Sequence, residues 1–201
     1  MQGEDLRAFD LAELNSYTNY WYVLFVKTSY EEQVHQQLKC FDFHDNMNIF
    51  IPSKEQFIKL PSQIIKSSKA LFPGYLFVET NLKAEDFRKI IYRSRYYLQK
   101  ILRVVHYGTA YDIVMRGEER RILEMIMNKE HCIEASNGII VGDRIIITEG
   151  ALMGQESIIK KVDRHKRKAF IEILMFGELR QVPVALNIVE KVDGKDLIYI
   201  E

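Results

Sequence analysis

The residues best suited to chemistry are a run of cations near the C-terminal end of the chain. Six of them fall within nine residues and are opposed by one carboxylate, Asp163. They are Lys160, Lys161, Arg164, Lys166, Arg167 and Lys168, and His165 lies among them. Closely spaced cations bind nucleic-acid phosphates, because each contact neutralises a charge and releases counterions. The run predicts an RNA-binding loop; the alternative is a solvated hairpin tip.

The elements that must position this run are short strands separated by turns. Gly142, Gly150 and Gly154 supply turn conformations between β-branched segments, and Ser157 follows them. The predicted strands are 144–148, 157–162, 168–174, 180–184 and 187–192. Five short strands in some 55 residues are typical of a small closed β-barrel. The cationic run would then be a hairpin tip of that barrel.

A second candidate site is the segment from Leu71 to Val78. Pro73 cannot donate a ladder hydrogen bond and Gly74 packs no side chain, so together they predict a bend where a strand begins. Phe72, Tyr75 and Phe77 flank the bend, so some rings would face the core and others a partner. The alternative is that all the rings belong to the core.

The first two thirds of the chain alternate between strand and helix patterns. The apolar run from Trp21 to Val26 predicts a central strand, and Ser29 with Glu32 predicts a capping box for the next helix. Further strands are predicted at 48–52, 55–59, 70–79 and 101–106, with a hairpin tip at Pro61–Ser62, and further helices at 84–97 and 118–127. Strands packed against helices indicate an α+β fold: a sandwich of a sheet and helices followed by the barrel.

Composition limits the function classes. The chain has 28 basic and 28 acidic residues, so any nucleic-acid binding must come from a local patch. The two cysteines, Cys40 and Cys132, form no CxxC pair, which argues against zinc and suits a reducing compartment. No phosphate-binding, nucleophile-elbow or metalloprotease motif is present. We expect a cytoplasmic, non-enzymatic monomer without a cofactor, a metal or a membrane segment.

The loss of periodicity after residue 128 predicts two domains. The predicted divisions are an N-terminal extension at 1–19, a first domain at 20–128, a linker at 129–137, a second domain at 138–193 and a tail at 194–201.

An ordered set of features resembles the NusG family over residues 20–193. It comprises the tryptophan-led first strand, a glutamate on the following helix and the bend Phe72-Pro73-Gly74-Tyr75. It ends with the series Val141-Gly142-Asp143-Arg144, Glu149-Gly150, Gly154 and Val162-Asp163. Ser157 departs from the family pattern, which commonly has glycine there.

The resemblance implies an NGN domain that binds the clamp region of RNA polymerase and a KOW domain that recruits a second partner. The polymerase-binding residues would be Phe25, Phe72, Pro73, Gly74, Tyr75 and Phe77. The basic loop is similar to that of the LoaP-type paralogues, which implies recognition of an RNA hairpin in the nascent transcript and operon-specific antitermination.

Two other functions remain open from the residues. The chain could be a general elongation factor whose KOW domain binds a termination factor or a ribosomal protein. It could also be an RNA-processing enzyme with the KOW domain as its substrate clamp, which would require a catalytic cluster in the first domain.

Overall fold

The computed structural model describes residues 19–40 and 47–192. The predicted extension up to residue 18 and the predicted tail 194–201 lie outside these residues. The helices are α1 (Glu31–Lys39), α2 (Ala84–Tyr97) and α3 (Gly117–Ile126). The strands before α3 are β1 (Tyr20–Val26), β2 (Met47–Phe50), β3 (Ser53–Lys59), β4 (Ile64–Ala70), β5 (Tyr75–Thr80) and β6 (Ile101–Val104). Those after it are β7 (Cys132–Ile133), β8 (Ser136–Val141), β9 (Arg144–Glu149), β10 (Ile159–Asp163), β11 (Lys168–Met175) and β12 (Glu178–Val192).

The chain folds as two compact units. The first unit extends to Pro52 and includes Phe72–Arg121 and Leu174–Glu178. The second comprises Ser53–Leu71, Ile122–Ile173 and the chain from Leu179 onward. The combination of helices with antiparallel and mixed sheets confirms the predicted α+β class.

The first unit is built on a four-stranded sheet in the order β2-β5-β1-β6. Alternate residues of β1, such as Tyr22 and Leu24, pack with Val34 of α1 and with Phe87 of α2 in one hydrophobic core. The rings of Tyr22 and Phe87 stack with centroids 4.0 Å apart. The opposite face carries a second cluster, the aromatic cluster, formed by Trp21, Phe50, Phe72 and Phe77. The prediction that Trp21 to Val26 form a central strand is confirmed, and β1 is covered on both faces.

The start of α1 differs from the predicted capping box. The helix begins at Glu31, and its N-cap residue Tyr30 makes no side-chain hydrogen bond to the helix. Ser29 precedes this position in a left-handed conformation, with φ of 71°. Its hydroxyl is therefore one residue too early to cap the helix, and the capping-box prediction is wrong.

The predicted strand 70–79 is interrupted at the Pro-Gly bend. Strand β4 ends at Ala70 and β5 begins at Tyr75, with a turn between them in which the Tyr75 N–H donates to the Phe72 carbonyl oxygen at 3.2 Å. The interruption follows from the left-handed backbone of Gly74, whose φ of 86° cannot continue a strand. β4 and β5 consequently belong to different sheets.

The second unit contains the β3–β4 hairpin and most of the C-terminal strands. β3 pairs with β4 on one side and with the short parallel strand β7 on the other. The hairpin tip predicted at Pro61–Ser62 is confirmed, since the Leu60 N–H closes the loop onto the Gln63 carbonyl oxygen at 2.8 Å. β7 and the start of β8 lie within 129–137, the segment interpreted as a linker.

The C-terminal strands form a five-stranded sheet in the order β10-β11-β12-β8-β9. Alternate residues of β11 are buried, which gives the sheet its apolar face. The predicted strands 180–184 and 187–192 are one strand, β12, so the prediction of a break between them is wrong. The strand is continuous because Ala185 and Leu186 are buried and β8 pairs in parallel with β12 from Leu186 onward.

Candidate functional site

The cationic run lies on the β10–β11 hairpin, as predicted. Asp163 and Lys168 face each other across the end of the hairpin, and the turn between them is closed by the Arg167 N–H, which donates to the Arg164 carbonyl oxygen at 3.2 Å. Arg167 takes the left-handed conformation, with φ of 51°. The turn therefore projects the four residues 164–167 beyond the sheet.

The single carboxylate of the run has a structural role in this turn. Asp163 Oδ1 accepts a hydrogen bond from the Lys166 N–H at 3.0 Å, and Oδ2 lies 3.7 Å from Lys166 Nζ. The backbone hydrogen bond, with the charges of Lys166 and His165, holds the pKa of Asp163 below its ordinary value. Asp163 thus stabilises the turn, and most of the positive charge of the cationic run remains unbalanced by this carboxylate.

The cations of the turn are accessible. Arg164, His165 and Lys166 are exposed, as are Lys160 and Lys161 on β10, whereas Arg167 and Lys168 are half-buried. Lys160 lies 3.5 Å from Glu172 of the neighbouring strand. The described residues place no carboxylate in an ion pair with Lys161 or Arg164. These two side chains are available to a ligand.

A surface cavity of about 540 Å³ lies beside the turn. Its lining includes Lys161, Asp163, Arg164, His165, Arg167 and Asn187. The lining combines positive charge with an amide side chain that can both donate and accept hydrogen bonds. Such a cavity can hold a phosphate group together with part of a sugar or base.

An aromatic ring from the β3–β4 hairpin supports the turn. The Arg167 guanidinium lies 5.9 Å from the centroid of the Phe57 ring, at the outer limit of a cation–π interaction. Sequence analysis missed Phe57, because the contact joins two hairpins far apart in the chain and neither carries a motif for the other.

The candidate protein-binding residues occupy two depths. Phe25 and Tyr75 are half-buried neighbours on β1 and β5, with ring centroids 5.2 Å apart, and Pro73 is exposed. Phe72 is 5% exposed and Phe77 is 0% exposed, and both belong to the aromatic cluster. Of these candidate residues, the Phe25–Tyr75 pair and Pro73 are accessible at the surface, whereas Phe72 and Phe77 are buried in the aromatic cluster.

Gly74 holds the bend by a close approach of the backbone. A Cβ atom there would lie 3.1 Å from Phe25 Cε2 and 3.3 Å from Thr28 Oγ1. The Gly74 N–H donates to Glu31 Oε1 at 2.6 Å, and its carbonyl oxygen accepts from the Val26 N–H at 2.8 Å. These bonds fix the chain just before Tyr75 and so position the Phe25–Tyr75 pair.

A buried carboxylate that sequence analysis missed lies elsewhere in the first unit. Glu119 is 0% exposed and accepts hydrogen bonds from the Tyr107 hydroxyl at 2.6 Å, the Phe176 N–H at 2.9 Å and the Gly177 N–H at 2.8 Å. Burial, together with the Glu119 charge, raises the pKa of Tyr107. Because three donors of the protein already bind its carboxylate oxygens, Glu119 has a structural role. In the sequence, Glu119 is part of a Glu118-Glu119 pair at a helix start, and such pairs are too common to indicate a buried carboxylate.

Within residues 19–40 and 47–192, no three or more His, Cys, Asp or Glu side chains form a group that could hold a metal ion. None of the described helices is both long enough and apolar enough to cross a membrane.

Comparison with known proteins identifies the family. The family model described as "Transcription termination factor nusG" matches residues 19–124. The transcription termination/antitermination protein NusG of Staphylococcus carnosus is 24% identical over 176 residues, which cover 85% of this chain and 94% of that protein. The proteins of the same name from Pasteurella multocida and Haemophilus influenzae are 22% identical over 180 residues and 23% identical over 181 residues. They cover 85% and 86% of this chain, and each alignment spans 94% of the relative. Since the family model matches more than half of the chain, this protein belongs to the NusG family of transcription termination and antitermination factors.

Proposed function

We propose that this member of the family is an operon-specific transcription antitermination factor of the LoaP type. An NGN-like domain at 20–128 binds the clamp region of RNA polymerase, a linker at 129–137 follows, and a KOW domain at 138–193 binds a hairpin in the nascent RNA. The factor acts in the cytoplasm as a monomer, without catalysis or a cofactor.

The observation that carries the RNA half of the proposal is the exposed cationic turn beside its cavity. Lys161 and Arg164 line the cavity and have no carboxylate paired with them among the described residues. A surface that bound only proteins would not need exposed cations without a carboxylate partner beside a cavity. Because side chains cannot read the deep, narrow major groove of A-form RNA, the turn would recognise a stem with an opened loop or bulge.

The polymerase half of the proposal rests on the Phe25–Tyr75 pair. Aromatic side chains that are partly exposed and rigidly held are common anchors of protein interfaces. Here Gly74 fixes the backbone, and the guanidinium of Arg103 lies 5.5 Å from the Phe25 ring centroid. Binding alone would suffice for function, since a ligand shifts a conformational equilibrium by its differential affinity for the two states. The factor would favour the elongating state of the polymerase over paused states.

The test of the RNA half replaces Lys166, Arg167 and Lys168 with Gln together. If four or five cations contact phosphates, the logarithm of the wild-type association constant falls with the logarithm of salt at a slope of roughly −3 to −4. We expect the triple variant to lose retention of a leader-RNA stem-loop in a gel shift, and its residual binding to have a shallower slope.

A matched control replaces three exposed lysines on other elements, Lys39, Lys83 and Lys129, with Gln. This control changes the net charge by the same amount and should leave retention unchanged. Equal losses in both variants would contradict a local RNA site, because they would reflect net charge alone.

The alternative is a general elongation factor whose KOW domain binds a termination factor or a ribosomal protein. The relatives named above as transcription termination/antitermination proteins fit this alternative. Unchanged RNA retention by the triple variant, with antitermination intact on every template tested, would support this alternative.

A further inference from the structure

We propose that the β3–β4 hairpin carries a second phosphate-binding site, formed by Lys54, Lys69 and Lys168, which extends the RNA surface beyond the cationic turn. We name these three residues the lysine triad. The inference rests on the proposed RNA-binding function and adds to it a site on a different hairpin, which would bind the RNA backbone.

The lysine triad is assembled by strand register. Lys54 of β3 and Lys69 of β4 are direct partners across the antiparallel pair, so their side chains leave the same face of the hairpin. Lys168, the first residue of β11, is close enough that its charge acts on Lys54. Like charges placed directly opposite each other on paired strands destabilise the pairing.

No described carboxylate compensates for this repulsion. Within the described part of the chain, none of the three lysines forms an ion pair. The neighbouring carboxylate, Glu55, accepts from the Ala135 N–H at 2.7 Å and pairs with Lys66 at 3.2 Å. Strand alternation places Glu55 on the opposite face from Lys54.

The environment of Lys54 favours an anionic ligand. Its side chain is 9% exposed, and burial, followed by the charges of Lys69 and Lys168, lowers its pKa to about 8. Lysine residues are seldom fully buried without a partner. Lys54 is nearly buried, and its neighbours are two other cations. A phosphate oxygen would supply the missing negative charge and restore the ordinary pKa.

The lysine triad adjoins the cationic turn. Lys168 follows Arg167 in sequence, so the lysine triad and the cationic turn meet at the start of β11. Lys168 therefore belongs to the lysine triad through its effect on Lys54 and adjoins the cationic turn through the chain. Lysine is a point charge on a flexible stem, whereas arginine offers a planar fork for base edges and phosphates. We therefore assign the lysine triad to the RNA backbone, which positions the duplex without reading its sequence.

The experiment measures binding of a fluorescein-labelled RNA stem-loop over a series of salt concentrations. Two variants are compared with the full-length wild type: Lys69→Gln, whose side chain is exposed, and Lys54→Gln with Lys69→Gln. We expect the slope of log affinity against log salt to become shallower by about 1 for each lysine–phosphate interaction that a variant removes. For each variant, the factor by which affinity falls relative to wild type should be the same for a stem with scrambled base pairs as for the original stem, since the RNA backbone carries no sequence information.

The control for this experiment is Lys39→Gln with Lys83→Gln, an equal charge change on exposed sites of the first unit. Thermal unfolding of each variant verifies folding, and Lys69→Gln keeps the test valid if the double variant is misfolded. A wild-type slope and affinity in Lys69→Gln and in a folded double variant would overturn the inference.

The outcomes separate the inference from the proposed function. The turn variant for this comparison is Arg164→Gln with Lys166→Gln, which leaves Lys168 of the lysine triad in place. Loss of binding in this turn variant with wild-type behaviour in the lysine-triad variants would leave RNA binding standing and refute this site. Weakened binding in the lysine-triad variants with an unaffected turn variant would support this site and refute the role of the turn. A wild-type protein that retains no stem-loop would overturn both.

Discussion

At the scale of single residues, Gly74 links a backbone conformation to a candidate interface. Its φ of 86° and the 3.1 Å approach of a Cβ to Phe25 both act against any side chain there. A left-handed conformation costs a non-glycine residue about 1–3 kcal/mol. The bend therefore depends on glycine for a physical reason that the sequence alone already indicated.

We predict that Gly74→Ala lowers the free energy of unfolding by about 1–3 kcal/mol. Chemical denaturation followed by circular dichroism measures this change. The control is Gly108→Ala, because no atom lies within 4 Å of a Cβ at Gly108 and its φ is not in the left-handed region. A Gly74→Ala protein as stable as the Gly108→Ala protein would contradict the account of the bend.

A second prediction at this scale concerns the pH dependence introduced by Lys54. Its pKa is about 8 in the folded protein against an ordinary value of 10.5, so the folded state binds fewer protons than the unfolded state between these pH values. The charged form of Lys54 destabilises the fold, and this effect is fully present below about pH 8. The free energy of unfolding therefore rises as the pH increases from about 8 to about 10.5 and Lys54 loses its proton in the folded state. The charged groups that act on Lys54 are Lys69 of β4 and Lys168 of β11, and Glu55 lies on the opposite face of β3.

The measurement compares unfolding free energies of wild type and Lys54→Gln across this pH range. Their difference cancels other titrating groups and should change by about 1–3 kcal/mol in favour of the wild type as the pH rises. A difference independent of pH would show that Lys54 is not deprotonated more readily in the fold.

At the scale of elements, the sequence pattern identified features that depend on neighbours in the sequence and missed features that depend on neighbours in space. The apolar spacing of α2 predicted its bounds as Ala84–Tyr97, and glycine positions located the turns around β9. The capping box failed because the chain at Ser29 turns into a left-handed conformation before the helix starts. The break predicted within β12 failed because parallel pairing with β8 keeps that strand extended.

The same distinction between neighbours in the sequence and neighbours in space applies to the candidate sites. The cationic turn is local in sequence, so charge spacing predicted it. The lysine triad joins β3, β4 and β11, and no local pattern could indicate that Lys54 lies beside Lys168. Likewise, alternation predicted that aromatic rings would divide between faces, but tertiary packing decided that Phe77 is buried and Tyr75 is not.

This difference in burial leads to a prediction for Tyr75, which lies at the start of β5 beside Phe25 of β1. Tyr75→Ala removes a half-buried ring and should abolish capture of core RNA polymerase in a pull-down while leaving the fold intact. Tyr111→Ala, at a side chain 77% exposed, is the matched control and should bind normally. A Tyr75→Ala protein that still captures the polymerase would refute the polymerase half of the proposal.

Phe77→Ala is the wrong variant for testing contact with the polymerase. Its ring is fully buried against Trp21, Phe50 and Phe72, so truncation should cost about 3–5 kcal/mol of stability. Any loss of binding in that variant would follow from unfolding.

The turn at Phe176–Gly177 supports a prediction of its own. Both N–H groups donate to the buried Glu119 carboxylate, and hydrogen bonds to a charged group contribute about 1.5–3 kcal/mol. Glu119→Gln should accelerate hydrogen exchange of these two amides and lower stability by a similar amount. Glu118→Gln, at the exposed neighbouring residue, should change neither, and unaltered exchange in Glu119→Gln would contradict the assigned role.

At the scale of the whole molecule, equal numbers of basic and acidic residues remove any general attraction to nucleic acid. The proposed RNA binding would then come from the cationic turn and the lysine triad, where the described residues place no carboxylate in an ion pair with Arg164 or with any of the three lysines of the triad. This arrangement favours selectivity, because a neutral protein is not drawn to every transcript. It also makes the two proposed contacts, one to the polymerase and one to RNA, dependent on each other.

The final prediction follows from this dependence. An RNA hairpin in the nascent transcript raises the effective concentration of the bound factor near its polymerase, an advantage that a separate RNA molecule cannot provide. In purified transcription reactions with limiting factor, readthrough should therefore require the stem-loop in the same transcript. Excess stem-loop added as a separate molecule should inhibit readthrough by occupying the cationic turn. If the separate stem-loop instead activated readthrough on templates that lack the element, RNA would act as an allosteric ligand and not as a tether.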